Sequence, residues 1–152
     1  MIQTYVKNFL TWVSQNVIFA AWVLAVLAIL GSISLSEVWG FVPCKLCWYQ
    51  RYLLFAAAVV LGAAEYKKYH HIYKYVLPLT LIGAVLAFYQ SLLQWGFIEE
   101  TLTCAVDAPC ALAQINWLGF ITIPFMSLAV FVVLSGLMVY QHKRLTGKDS
   151  DE

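Results

Sequence analysis

Four long apolar runs divide this chain, and they limit what it can fold into. They cover roughly residues 17–35, 48–64, 75–95 and 118–140. Each is close to the ~20 residues that a helix needs to cross a ~30 Å apolar bilayer core. Lipid offers the backbone no hydrogen bonds, so each run is predicted to be a helix. The sequence therefore predicts an all-α membrane protein, a four-transmembrane-helix bundle that forms a single integral membrane domain over residues 1–152.

Composition agrees with this class. Hydrophobic residues make up 62% of the chain and charged residues 11%, whereas a soluble domain has about 45–50% and about 25%. The net charge is +1 and no block of basic residues occurs, so nucleic acid is not an expected partner. The first run is longer than the about 7–15 apolar residues of a signal peptide, which favours a retained span.

The basic residues predict the orientation of the spans. Seven of the nine Lys and Arg residues lie before the first span, between the second and third, or after the fourth: Lys7, Lys67, Lys68, Lys74, Lys143, Arg144 and Lys148. The positive-inside rule assigns that side to the cytoplasm. Both termini are then cytoplasmic, and the loops at 36–47 and 96–117 face outward in a multi-pass cell-membrane protein.

All four cysteines fall in the two outward loops. Cys44 and Cys47 form a Cys-x-x-Cys pair in the first, and Cys104 and Cys110 lie in the second. Disulfides form and persist on that side of the membrane. Two pairs in facing loops suggest a relay, because thiol–disulfide exchange passes oxidation from one pair to the other. The second pair suits a water-soluble partner, and the first suits a lipid-soluble acceptor.

Two alternatives remain open for these cysteines. They could form two structural disulfides, although a Cys-x-x-Cys ring is too small to be an effective staple and its spacing is typical of redox-active pairs. Four cysteines could also hold a structural zinc ion. Against zinc, extracytoplasmic thiols tend to oxidise, and five residues between Cys104 and Cys110 is a looser spacing than zinc knuckles use.

Arg51 is the next candidate functional residue. It lies four positions after Cys47 and therefore on the same helix face. Its charge and the positive end of the helix both favour a thiolate at Cys47. A cation here could also stabilise a quinone oxygen that gains electron density. The alternative is an interfacial arginine whose side chain extends to the lipid headgroups.

Gln90 and Gln94 form a second i, i+4 pair, near the outward end of the third span. Either could donate a hydrogen bond to a quinone carbonyl. They could equally bind a neighbouring helix or lie in the polar interface.

At these positions the chain resembles the DsbB family of disulfide-forming membrane proteins, especially its BdbC-like branch from Gram-positive bacteria. The family motif matches at Cys44-Lys45-Leu46-Cys47-Trp48-Tyr49-Gln50-Arg51. The four-span layout, the second cysteine pair, Trp117-Leu118-Gly119-Phe120 and Pro124 also match, so that the resemblance covers nearly the whole chain.

The resemblance implies a thiol:quinone oxidoreductase, which supports disulfide formation in exported proteins. It would reoxidise an extracytoplasmic thioredoxin-fold thiol oxidase (DsbA/BdbD-like) and pass the electrons to a membrane quinone, with no metal or flavin. Cys104 would form the mixed disulfide with the partner, Cys110 would resolve it toward Cys44, and Cys47 would face the quinone. Arg51 would hold the quinone, assisted by Gln94 and Gln90. The Gram-positive likeness favours menaquinone over ubiquinone.

Two departures from the enterobacterial branch stand out: the loop between Cys104 and Cys110 is short, and Gln50 replaces an acid. Two rival functions remain. A vitamin K epoxide reductase-like enzyme would also carry a Cys-x-x-Cys near a quinone, but on a late helix. A non-enzymatic membrane subunit would carry the cysteines as structural disulfides.

Overall fold

The computed structural model describes residues 2–40, 43–97 and 123–149, whose regular structure is helical throughout. Within these ranges five α-helices follow one another: α1 (Ile2–Gln15), α2 (Val17–Glu37), α3 (Lys45–Tyr66), α4 (Tyr73–Gln94) and α5 (Ile123–Asp149). A short 3₁₀ helix, His70–Ile72, precedes α4. Of the described residues, four segments are long and apolar enough to cross a membrane: Val17–Glu37, Lys45–Tyr66, His70–Gln94 and Ile123–Gly147. The predicted helical membrane fold with four spans is confirmed.

Helix bounds differ from the predicted runs mainly where polar residues continue a helix. α3 begins three residues before the predicted run, at Lys45, because Cys44 caps it. α4 begins two residues early, at Tyr73, and contains Pro78 in its second turn. The N-terminal helix α1 was not predicted, since its apolar residues are interrupted by polar ones and form no continuous run.

The four long helices pack as a ring in the order α2, α3, α4, α5 and back to α2. Their shared core contains fully buried side chains from all four, among which are Ala21, Leu61, Val76, Phe131 and Leu134. Large apolar residues such as Leu27, Val59 and Val85 remain exposed on the outside of the ring. An exposed apolar exterior is what lipid contact requires of such a bundle.

Close contact between α4 and α5 depends on Gly83. A Cβ atom at this position would lie 2.4 Å from the ring of Phe131. The Thr80 and Ser135 hydroxyls are hydrogen-bonded at 2.9 Å across the same interface. Small residues and hydroxyl pairs are how membrane helices pack closely.

The fold brings the start of α3 beside the end of α4. The N-terminal turn of α3 packs Cys44 and Leu46 against Leu93 of α4 in a small apolar cluster. α4 ends just beyond, where Gly96 adopts φ 75° and the Gly96 and Phe97 N–H groups donate to the carbonyls of Leu93 and Leu92. This is a Schellman ending, for which glycine is favoured at positive φ.

Several predictions remain predictions. The loop with Cys104 and Cys110, and the residues Trp117–Phe120 of the family motif, lie outside the described residues. The single-domain organisation and the orientation of the helices in the membrane are likewise expectations from sequence.

Candidate functional site

The site begins at the N-terminus of α3, where the Cys-x-x-Cys pair is folded into a cap. Cys44 is the N-cap residue, and its sulfur accepts a hydrogen bond of 3.4 Å from the backbone N–H of Cys47. The two sulfurs lie 3.0 Å apart as free thiols. Spacing of three residues brings both side chains to one end of the helix, because an N-cap side chain faces the N–H groups of the first turn.

Gln90 of α4 completes the surroundings of the two thiols. Its side-chain nitrogen lies 3.1 Å from the sulfur of Cys44 and 3.1 Å from that of Cys47. Its side-chain oxygen accepts a hydrogen bond of 2.7 Å from the side-chain nitrogen of Gln50. Gln50 is 5% exposed and Gln90 is 1% exposed. The accepted bond fixes the amide orientation, so that both N–H groups of Gln90 face sulfur.

The two thiols are not equivalent. The pKa of Cys44 lies above its ordinary value, because its thiol is hydrogen-bonded to Cys47 and is removed from water. Negative charge is therefore favoured on the Cys47 sulfur. The backbone dipole of α3 and the amide of Gln90 add to this preference, since N–H groups at a helix start stabilise an anion.

Arg51 lies one turn further along α3 and is turned toward α2. Its Nη2 atom donates to the Ser36 hydroxyl at 2.6 Å and to the Ser32 carbonyl at 3.0 Å, and its Nε donates to the Ser32 hydroxyl at 3.2 Å. The guanidinium also lies 5.1 Å from the ring centre of Trp48. Three hydrogen bonds hold the guanidinium between α2 and α3.

A cavity of about 220 Å³ opens beside these residues, between α2, α3 and α5. Cys47, Gln50 and Arg51 form its polar side. The remaining wall is mostly apolar, and it includes Pro124 and the half-exposed Met126 of α5. An apolar cavity with few polar groups is typical of a small-molecule site, and Met126 at its edge faces the outside of the bundle.

The structure brings together four of the predicted site residues. Cys44, Cys47 and Gln90 are in direct contact, and Arg51 shares the cavity with Cys47. Gln94 is the half-buried last residue of α4, one turn beyond Gln90. Cys104 and Cys110 lie outside the described residues, so the predicted relay between the pairs stays a prediction.

Sequence reasoning did not identify Gln50, Ser32 and Ser36 as site residues. Gln50 follows Cys47 by three positions, and Ser32 and Ser36 are four positions apart near the end of α2. That spacing shows that each set shares a helix face. Spacing along one helix does not show which neighbouring helix that face meets. The hydrogen bonds of Gln50, Ser32 and Ser36 depend on that packing.

The described residues include no group of three or more His, Cys, Asp or Glu side chains that could hold a metal ion. This search does not test the alternative of a zinc ion held by four cysteines, because Cys104 and Cys110 lie outside the described residues.

Known proteins resemble this chain over most of its length. The family model described as "Disulfide bond formation protein DsbB" matches residues 14–141. Disulfide bond formation protein C of Bacillus subtilis is 42% identical over 119 residues, covering 77% of this chain and 86% of the relative. A probable disulfide formation protein of Deinococcus radiodurans is 34% identical over 142 residues, covering 88% and 93%. A probable disulfide formation protein C 1 of Bacillus anthracis is 39% identical over 123 residues, covering 80% and 88%.

No solved structure matches the chain. The family match spans α2 to α5 and includes Cys44, Cys47, Gln90 and Arg51. The predicted resemblance is confirmed, and with it a general role in membrane disulfide bond formation: the chain belongs to the DsbB family of disulfide bond formation proteins.

Proposed function

We propose that this protein is a protein-dithiol:quinone oxidoreductase that reoxidises an extracytoplasmic thioredoxin-fold oxidase. The observation that carries the proposal is the position of Cys47. Its sulfur contacts Cys44 and Gln90, and its side chain also lines the cavity that contains Arg51. One thiol therefore joins a dithiol centre to a site that a lipid-soluble ring can enter.

Cys47, Cys44 and Gln50 have different roles at this dithiol centre. Cys47, stabilised as a thiolate by Gln90 and by the start of α3, is the thiol that acts in the cavity. Cys44 holds its proton and supplies the second sulfur of the new disulfide. Gln50 is a positioning residue for the thiols, since its hydrogen bond fixes the Gln90 amide that faces both sulfurs.

The cavity residues fit a quinone head group. Arg51 can donate to a ring oxygen, while Leu35, Leu54 and Val130 offer apolar contact to the ring. When bound, a quinone accepts two electrons and two protons, leaving the two sulfurs as a disulfide and itself as quinol. By resemblance menaquinone is the favoured quinone, and no metal or flavin takes part. Gln94 is the other predicted contact to the quinone.

The source of electrons is the second cysteine pair. The partner's dithiol reduces Cys104–Cys110, with Cys104 forming the mixed disulfide. The Cys110 thiolate then attacks the Cys44 sulfur of the Cys44–Cys47 disulfide and releases Cys47 as a thiolate. The Cys104 thiolate then attacks the Cys110 sulfur, which closes the Cys104–Cys110 disulfide again and releases Cys44. Cys44 and Cys47 are now both reduced, so two electrons have passed from the second pair to the first.

The test is quinone reduction by the purified protein when it is supplied with a reduced thioredoxin-fold oxidase. Cys47→Ser is expected to abolish quinone reduction while leaving the protein folded. A Cys47→Ser protein that reduces quinone at the wild-type rate would refute the mechanism. The structural-disulfide alternative is separated by reduction potential: a structural bond lies below about −300 mV, and a relay bond well above it.

A further inference from the structure

A second polar cavity, of about 280 Å³, lies at the opposite end of the bundle from the thiols. It is enclosed by the junction of α1 and α2, the end of α3, the 3₁₀ helix and the last part of α5. Every candidate span begins or ends near it, which places it at the level of the lipid headgroups on one side of the membrane. Predicted orientation makes this the cytoplasmic side.

Charges around this cavity favour an anion. Arg144 and Lys68 contribute two positive charges, and His70 lies beside them. Among the residues that the structure describes, Glu65 is the one acid that lines the cavity, and it pairs with Lys68. One positive charge therefore remains in excess when His70 is neutral. Arg144 also donates to the Ser14 carbonyl, which holds its guanidinium at the turn between α1 and α2.

The backbone at the start of α2 also gives the cavity a positive character, as the side-chain charges do. α2 starts at Val17, and its N-cap residue Asn16 provides no side-chain cap. The Asn16 amide donates instead to the Trp12 carbonyl. The first N–H groups of α2 therefore lack the acceptor that a cap supplies, and they carry the positive end of a 21-residue helix. Asn16, Val17 and Ile18 all line the cavity.

Gln141 gives an independent indication of a ligand. Its side chain is only 5% exposed and lines the cavity. Across residues 2–40, 43–97 and 123–149, no side chain or backbone group forms a hydrogen bond with it. Its amide therefore opens into the cavity and not into packed side chains, where a polar ligand could donate to it and accept from it.

We propose that this cavity binds the phosphate group of an anionic phospholipid. A phosphodiester carries one negative charge, which matches the excess positive charge. Its oxygens can accept from Arg144, from Gln141 and from the N–H groups at the start of α2. The apolar side chains of Val17, Ile18 and Leu145 at the cavity would contact the lipid's glycerol and acyl carbons. The exposed apolar residues of α1, such as Ile2 and Tyr5, suit the same interfacial level.

The experiment titrates the purified full chain in detergent with phosphatidylglycerol and measures bound lipid by native mass spectrometry. Phosphatidylcholine and water-soluble glycerol phosphate are titrated in parallel. We expect saturable retention of one phosphatidylglycerol, with much weaker retention of phosphatidylcholine. Equal retention of both lipids would overturn the proposal, because the charge would then be irrelevant. Glycerol phosphate that binds as tightly as the lipid would overturn the assignment to a lipid.

Variants locate the binding site. Arg144→Gln is expected to weaken phosphatidylglycerol binding roughly fivefold or more, from the loss of one charge near the phosphate. Lys143→Gln is the matched control: it removes the same charge from the adjacent residue, which does not line the cavity. Gln141→Leu tests the buried amide and should weaken binding without changing charge. If Arg144→Gln and Gln141→Leu bind no more weakly than Lys143→Gln, the proposal is wrong.

Discussion

The side-chain amide of Gln50 donates a hydrogen bond of 2.7 Å to the side-chain oxygen of Gln90, and both residues are buried in the bundle. This contact decides which end of the Gln90 amide faces the thiols. With its oxygen occupied, Gln90 presents N–H groups to both sulfurs. A buried donor favours a thiolate, whereas a buried acceptor would oppose it.

Replacing Gln90 tests the contribution of these N–H groups. Gln90→Met keeps a similar shape but removes both donors, so the thiolate fraction at Cys47 should fall. A hydrogen bond to a charged group is worth about 1.5–3 kcal/mol, and because Cys47 starts largely as a thiolate, this predicts about two- to tenfold slower alkylation at neutral pH. The measurement is the alkylation rate of reduced protein by a small iodoacetamide probe. Ser91→Ala is the control, since Ser91 is an adjacent buried residue whose hydroxyl donates to the Ala87 carbonyl. Equal rates in Gln90→Met and wild type would contradict the prediction.

Gln50 should act only through Gln90. Gln50→Met is expected to slow alkylation of Cys47, because the Gln90 amide can then rotate. In Gln90→Met, the additional change Gln50→Met should have little further effect. A double-mutant cycle measures this coupling, for which about 0.5–3 kcal/mol is usual between residues in contact. Additive effects on the alkylation rate would show that Gln50 acts independently.

Arg51 should affect quinone affinity more than folding. Arg51→Lys keeps the charge but cannot form all three hydrogen bonds to Ser32 and Ser36. We expect the KM for quinone to rise several-fold in Arg51→Lys and further in Arg51→Gln. The measurement is steady-state quinone reduction with varied quinone concentration. Ser36→Ala removes one of the three acceptors and should have a smaller effect. A KM unchanged in Arg51→Gln would exclude Arg51 from the quinone site.

Gly83 should be essential to the packing of α4 on α5. Gly83→Ala places a methyl group into the ring of Phe131, which is fully buried and cannot move freely. Overpacking of this kind costs about 1–3 kcal/mol, and thermal unfolding in detergent should show a lower Tm. Gly136→Ala is the matched control, because a Cβ there meets no atom of the described structure within 4 Å. Phe131→Leu should partly restore the Tm of Gly83→Ala, and equal stability of the two alanine variants would refute the packing argument.

The four spans were predictable because each is a continuous apolar run, and lipid leaves the backbone of such a run no alternative to a helix. α1 was not predicted, because polar residues interrupt its apolar ones and leave no continuous apolar run. Cys44, Cys47 and Arg51 were identifiable from spacing on one helix. Gln90 was identified as a polar residue near the outward end of its span, but its contact with the thiols was not foreseen. That contact depends on how α3 meets α4, and one sequence does not specify it.

The most direct test isolates the Cys44–Cys47 pair from the rest of the relay. Cys104→Ser/Cys110→Ser protein is reduced, freed of reductant and mixed with a menaquinone analogue under anaerobic conditions, and thiols lost are counted against quinone reduced. The account predicts that two thiols disappear per quinone, with a Cys44–Cys47 disulfide as the product. Quinone that stays oxidised while both thiols remain free would contradict the central claim.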